Sequence, residues 1–200
     1  LYRWVFGDEP QPIVDAIETW PSSCGLAAWE AIPHIQTLLK AAREASIPVV
    51  HATGREEDGL ATWSVGREIY GSDNRDAEAM EKRSRRWEII DEVAPITGEP
   101  VMRKDSPSAF WGTPLMGHLN FHNVDTIIAC GETTSGCVRA SVVDGCTNRY
   151  RMIVAEECVF DRHEAAHAIN LFDMHQKYAD VLPLADILEY IAVWRASQDN

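Results

Sequence analysis

Thr126-Ile127-Ile128-Ala129-Cys130-Gly131-Glu132-Thr133-Thr134-Ser135-Gly136-Cys137-Val138-Arg139-Ala140-Ser141 is the stretch that decides the fold. Its first five residues form a short apolar run rich in β-branched side chains, which reads as a buried strand. Gly131 to Gly136 is small and polar, as a turn requires. Val138 to Gly145 reads as a helix. Cys137 therefore falls at a strand-to-helix turn, where backbone N–H groups are free and the helix end is positive. Such a setting favours a thiolate and can stabilise an oxyanion.

The same alternation runs outward in both directions. Upstream, Ile47 to Thr53 reads as a strand ended by Gly54, and Pro100 to Lys104 as another. Ala27 to Ala45 carries apolar residues at Trp29, Ile32, Ile35, Leu38, Leu39 and Ala42, which is helical spacing. Pro33 is expected in its first turn or at a break. Gly54 to Arg86 is polar and charged and reads as a long excursion with a short helix. Thr113 to His122 is a helix candidate, with Thr113 as cap and Pro114 at the first position. Downstream, Met152 to Ala155 is a strand, and Arg162 to Tyr178 and Leu184 to Trp194 are helices. Strands separated by helices predict a parallel sheet covered on both faces, in one domain spanning residues 1–200. In such sheets the site lies at the carboxyl ends of the strands. Lys104, the Gly131–Cys137 turn and the stretch Glu156 to Arg162 all fall on that edge.

The chain has 31 acidic and 18 basic residues, a net charge of −13. That balance argues against nucleic acid and anionic membrane surfaces as partners. No apolar run approaches the roughly 20 residues that span a bilayer. Five cysteines, an odd number, without metal-cluster or disulfide spacing fit a reducing, cytoplasmic compartment. No metal or other cofactor is expected, because no clustered His or Asp/His spacing accompanies His51.

Each candidate residue has a plainer reading beside the functional one. Cys137 is either a nucleophile or a buried structural thiol; Cys24, Cys130, Cys146 and Cys158 are read as structural. Lys104 is either a solvated strand-end lysine or a partly buried cation that helps form a thiolate. Arg162 either pairs on the surface with Asp161 or Glu164, or grips a substrate carboxylate through its fork of donors. Trp111, next to the Lys104 segment, is the tryptophan placed nearest a ligand.

These residues carry a resemblance. Lys104…Ser108-Ala109-Phe110-Trp111-Gly112-Thr113-Pro114-Leu115, Gly131 to Ser141, Ala155 to Arg162-His163-Glu164 and Ala168 to Asp173 are similar to segments of the isochorismatase-like cysteine hydrolases. The branch most resembled is that of N-carbamoylsarcosine amidase and related amidohydrolases. The resemblance runs from about Ala27 to Leu188. It implies a three-layer α/β/α, Rossmann-like fold with a parallel sheet of about six strands. It implies an Asp-Lys-Cys triad with Cys137 as nucleophile and Lys104 as its lysine. It also implies a non-proline cis peptide at Glu132–Thr133, which turns the Thr133 N–H toward that of Cys137 to make an oxyanion hole. Arg162 matches a carboxylate-binding position, and Thr134 assists it. The triad aspartate and the first strand are expected just ahead of Leu1, outside the given chain. Asp8 is not promoted in its place. Gly54-Arg55-Glu56-Glu57-Asp58-Gly59 lacks the histidines of nicotinamidase-like relatives, which implies a metal-independent branch.

The expected activity is cysteine-dependent hydrolysis of a C–N bond in a small amide or N-carbamoyl compound bearing a carboxylate. It proceeds through a thioester and releases ammonia. A homo-oligomer, dimer or tetramer, is expected by resemblance. Two alternatives stand beside this reading: a non-catalytic, redox-responsive ligand-binding domain, and an isochorismatase-type vinyl ether hydrolase.

Overall fold

Ile153 and Ala155 of one strand pack into one apolar cluster, while Met152 and Val154 pack into another. That alternation is the period-2 signature of a sheet with a core on each face. The computed structural model describes residues 1–55, 81–82 and 84–198. The strand in question, β4 (Arg151–Phe160), lies between β3 (Thr126–Glu132) and β5 (Asp180–Leu182), and both pairings are parallel. Glu156 and Glu157 are exposed in mid-strand, and the β3–β4 register shifts at the same level. Past that irregularity the alternation resumes, with Cys158 and Phe160 on the first face and Val159 on the second.

Helix α3 (Leu26–Glu44) covers the first face together with α7 (Leu184–Gln198). Two short helices, α1 (Arg3–Phe6) and α2 (Ile13–Ala16), precede α3. Contrary to expectation, α3 runs unbroken through Pro33, which lies in its third turn. Proline forfeits one backbone hydrogen bond there. The buried stripe Ala28, Ala31, Ile32, Ile35 and Leu38 holds the helix on the sheet regardless. The second face is covered by α4 (Leu115–Phe121), α5 (Arg139–Thr147) and α6 (Glu164–Lys177), through Leu119, Val142, Leu171 and Met174. Pro114 stands one residue before α4, and the Thr113 hydroxyl accepts a hydrogen bond from the Leu115 N–H at 3.3 Å. Among the described residues no helix is long and apolar enough to cross a membrane.

The three-layer α/β/α class stands, with one correction to its sheet. In place of a single sheet of about six strands, the described residues hold five strands in two parallel sheets. The second sheet pairs β1 (His51–Gly54) with β2 (Val101–Lys104). A cavity of about 440 Å³ separates the two sheets. His51 and Ala52 line one wall and Thr126 to Cys130 the other, so no ladder joins β1 to β3. Its end toward the carboxyl edge reaches Lys104, Glu132 and Cys137. The excursion over Gly54 to Arg86 lies largely outside the described residues.

The opposite end of β1 and β2 is fixed by a partly buried ion cluster. Arg43 grips Glu99 with two hydrogen bonds (Nε–Oε1 2.8 Å, Nη2–Oε2 2.9 Å), and His51 Nε2 lies 2.8 Å from Glu99 Oε2. The Arg43 hydrogen bonds, aided by His51 and the Ile96 N–H, hold the Glu99 carboxyl at about 2, against an ordinary value of 4.5. Burial lowers His51, so its neutral ring donates to Glu99. Both shifts have the same sign. Glu99 contributes stability above about 4.5 that is lost as pH falls toward 2. His51 adds a loss as pH falls below 6.5, because the unfolded chain takes up a proton that the folded one resists. Glu99→Gln is therefore expected to cost about 1–3 kcal/mol at pH 7. Thermal melts at a series of pH values should show the gap to wild type closing as pH drops through that range. A gap independent of pH would refute the assignment.

Candidate active site

Lys104 ends β2 with its side chain turned inward and is only 5% exposed. An ammonium this buried needs partners for all three of its protons. It has them: Nζ donates to Ser106 O (3.0 Å), Pro107 O (3.0 Å) and Cys137 Sγ (3.2 Å). Two residues 33 positions apart are thus joined at the carboxyl edge of two different sheets. A cation against the sulfur stabilises the thiolate, the nucleophilic form of cysteine.

The turn carrying Cys137 is built by small residues. The Glu132–Thr133 peptide is cis. Thr134 to Val138 then forms a turn kinked at Gly136 before α5 begins. The Thr133 carbonyl accepts from the N–H of Gly136 (2.9 Å) and of Val138 (3.2 Å), which closes the turn. Glycine suits position 136: its φ −109° and ψ −108° lie outside the regions that side-chain-bearing residues favour, and a Cβ there would stand 2.5 Å from Thr133 Oγ1 unless that hydroxyl turned away. The turn is pinned from the next strand: the Ser135 N–H donates to Asp161 Oδ2 at 2.7 Å, and the same carboxylate accepts from the Arg162 N–H at 2.8 Å. Thr134 is fully buried, its hydroxyl 2.8 Å from His167 Nδ1 on α6.

The candidate residues separate into an inner and an outer group. Lys104, Cys137, Thr133 and Thr134 converge on one turn. Arg162 is exposed and is tied to that turn through Asp161; its positive charge acts on Cys24. Trp111 is 72% exposed, at the rim of the Lys104 loop, and its carbonyl lies 3.5 Å from Ser106 Oγ. Asp8 is exposed and pairs with Arg3 at 2.9 Å. Among the described residues no three His, Cys, Asp or Glu side chains converge as a metal site would require.

Sequence reasoning missed Tyr2 and Glu132. Tyr2 is buried close enough to Cys137 for the two groups to influence each other electrostatically. Burial, followed by the negative neighbours Glu132 and Cys137, keeps that phenol protonated well beyond its ordinary range. Glu132 is itself buried just before the turn. No local pattern marks either residue. Tyr2 stands in an aromatic N-terminal segment, 135 positions from the thiol whose charge bears on it. Burial also pushes up the thiols of Cys24, Cys130 (to about 11) and Cys158, which suits structural roles for all three.

Comparison with known proteins bears on the family and the fold. The family description "Isochorismatase domain" matches residues 25–186. The chain is similar to maleamate amidohydrolase of Pseudomonas putida, at 46% identity over 99 residues, covering 50% of this chain and 46% of that enzyme. It is similar to N-carbamoylsarcosine amidase of an Arthrobacter species, at 31% identity over 193 residues, covering 93% of this chain and 72% of that enzyme. In three dimensions it resembles an isochorismatase-like hydrolase from Alkaliphilus metalliredigens, with a TM-score of 0.74 at 20% identity, covering 96% and 93% of the two chains. That last likeness speaks to the fold alone.

Proposed function

The chain belongs to the isochorismatase family, and on that premise we propose that it is a cysteine amidohydrolase cleaving the C–N bond of a small amide or N-carbamoyl compound bearing a carboxylate. The observation that carries the reading is the buried Lys104 ammonium 3.2 Å from Cys137 Sγ. The relatives that carry amidohydrolase names support the reaction class.

The reactive form of the pair has the proton on Lys104 and the negative charge on the Cys137 sulfur. The thiolate attacks the carbonyl carbon, and charge moves onto the carbonyl oxygen, which the Thr133 and Cys137 N–H groups receive. Carbonyls of Ser106 and Pro107 hold two of the Lys104 protons. The third, pointing at sulfur, is the one free to follow the leaving nitrogen. Its transfer lets ammonia depart and leaves a thioester with a neutral Lys104. That amine then takes a proton from water as the water attacks, and collapse of the second tetrahedral intermediate expels the thiolate. Arg162 pairs with the substrate carboxylate, Thr134 lines the same turn, and Trp111 screens the rim.

Ammonia release should be measured over a panel of small amides, with and without a carboxylate, including N-carbamoylsarcosine and maleamate. Turnover confined to carboxylate-bearing members, lost when Arg162 becomes Met chiefly through a raised KM, is the expected result. Absence of ammonia and of any acyl adduct on Cys137 across the panel would overturn the proposal.

A further inference from the structure

The Lys104 ammonium owes its position to the loop it enters, since two of its three acceptors are the carbonyls of Ser106 and Pro107. That loop is largely bonded to itself. Ser106 Oγ donates to Ser108 O (3.0 Å), the Phe110 N–H to Ser108 Oγ (3.2 Å), and Thr113 Oγ1 to Ala109 O (2.5 Å). These bonds stiffen the loop but do not fix it relative to the nucleophile.

Among the described residues, two hydrogen bonds cross from this loop to the element carrying Cys137. One is Lys104 Nζ to Cys137 Sγ. The other runs from the Ala109 N–H to Ser141 Oγ at 2.9 Å, and the Ser141 hydroxyl in turn donates to the Cys137 carbonyl at 2.7 Å. A serine bonding to the carbonyl four residues back is ordinary in a helix. The unusual part is its second partner, a backbone N–H 32 residues away on the loop that holds the lysine. The hydroxyl uses its one proton on Cys137 and a lone pair on Ala109. The path Lys104–loop–Ala109–Ser141–Cys137–Lys104 is therefore a closed ring, and the Nζ–Sγ distance is one of its sides.

We infer that Ser141 is a positioning residue: its hydroxyl clamps the lysine loop to the nucleophile's own backbone and so sets the Lys104–Cys137 contact. Without the clamp, the ammonium–sulfur contact is the one hydrogen bond left between the loop and the nucleophile's element among the described residues. A displacement of about 1 Å at such a contact costs on the order of 10²-fold in rate.

The test is alkylation of Cys137 by iodoacetamide, read by peptide mass spectrometry, in wild type, Ser141→Ala and Ser141→Thr. At neutral pH the alanine variant should react about tenfold more slowly, because thiolate and ammonium are no longer held together. At alkaline pH, where any thiol is ionised, it should match wild type. Ser141→Thr keeps the hydroxyl and should restore the neutral-pH rate. A merely structural serine would lower the melting temperature and leave the alkylation of folded protein unchanged; that result, or a Ser141→Thr variant as slow as alanine, would overturn the inference. Turnover, where a substrate is in hand, should show the loss in kcat rather than KM. The alkylation arm needs no substrate, so it decides the role of Ser141 even if the amidohydrolase reading fails.

Discussion

Cys137→Ala is expected to lower ammonia release by about 10⁴-fold or more, since on the proposed mechanism it removes the atom that forms the acyl intermediate. No other thiol can take its place. Cys24, Cys130 and Cys158 are held protonated by their surroundings. Cys146 lies on α5, nine residues beyond Cys137. Cys137→Ser is expected to be nearly as inactive, because an ammonium partner stabilises an existing thiolate but cannot take a proton from a hydroxyl. The fold should survive both changes. Cys137 is only partly buried, and losing one sulfur from such a place costs at most about 1–2 kcal/mol. The measurement is steady-state ammonia release alongside thermal melting, with acid quench and mass spectrometry to trap the thioester in wild type. Retention of a tenth of the activity by a folded Cys137→Ala variant would rule out covalent catalysis by this residue.

Much of the route to Cys137 was legible in the sequence because its signals are local. The run Thr126 to Cys130, the small residues to Gly136 and the helix-forming stretch after them name a strand, a turn and a helix by composition alone. The strand Asp180–Leu182 was not legible: three residues between Ala179 and Pro183 are too short to show a period. Pro33 misled for a physical reason, since its effect on α3 is outweighed by a buried stripe on the opposite side of the ledger. The division into two sheets was hidden too, because strand partners are long-range choices that no window of sequence displays. The same holds for the site. Asp161 meets Ser135, His167 meets Thr134, and Ser141 meets Ala109 across separations of 26, 33 and 32 residues. Lys104 and Cys137 were nameable only because each ends its own element on the same edge.

Lys104→Met separates function from stability more sharply than any other change at this site. Activity should fall about 10³-fold, which on the proposed mechanism is the combined loss of thiolate stabilisation and of proton delivery to the leaving nitrogen. Stability should move far less, because two effects oppose each other. Burying an ammonium carries a desolvation cost that a methionine of similar length avoids. Against this, the carbonyls of Ser106 and Pro107 lose their donor, at about 1–3 kcal/mol each if they stay dry. The loop lies close to the rim, where Trp111 is exposed, so water can reach those carbonyls and the net change should be within about 2 kcal/mol. Lys104→Arg should not rescue activity despite its charge. The site demands three donors diverging from one nitrogen toward two carbonyls and a sulfur, and a planar guanidinium spreads its donors over three nitrogens. Kinetics and melting curves of both variants test the point. If Lys104→Met were within fivefold of wild type, the buried ammonium would be a structural plug, and Cys137 would have to draw its reactivity from the turn alone.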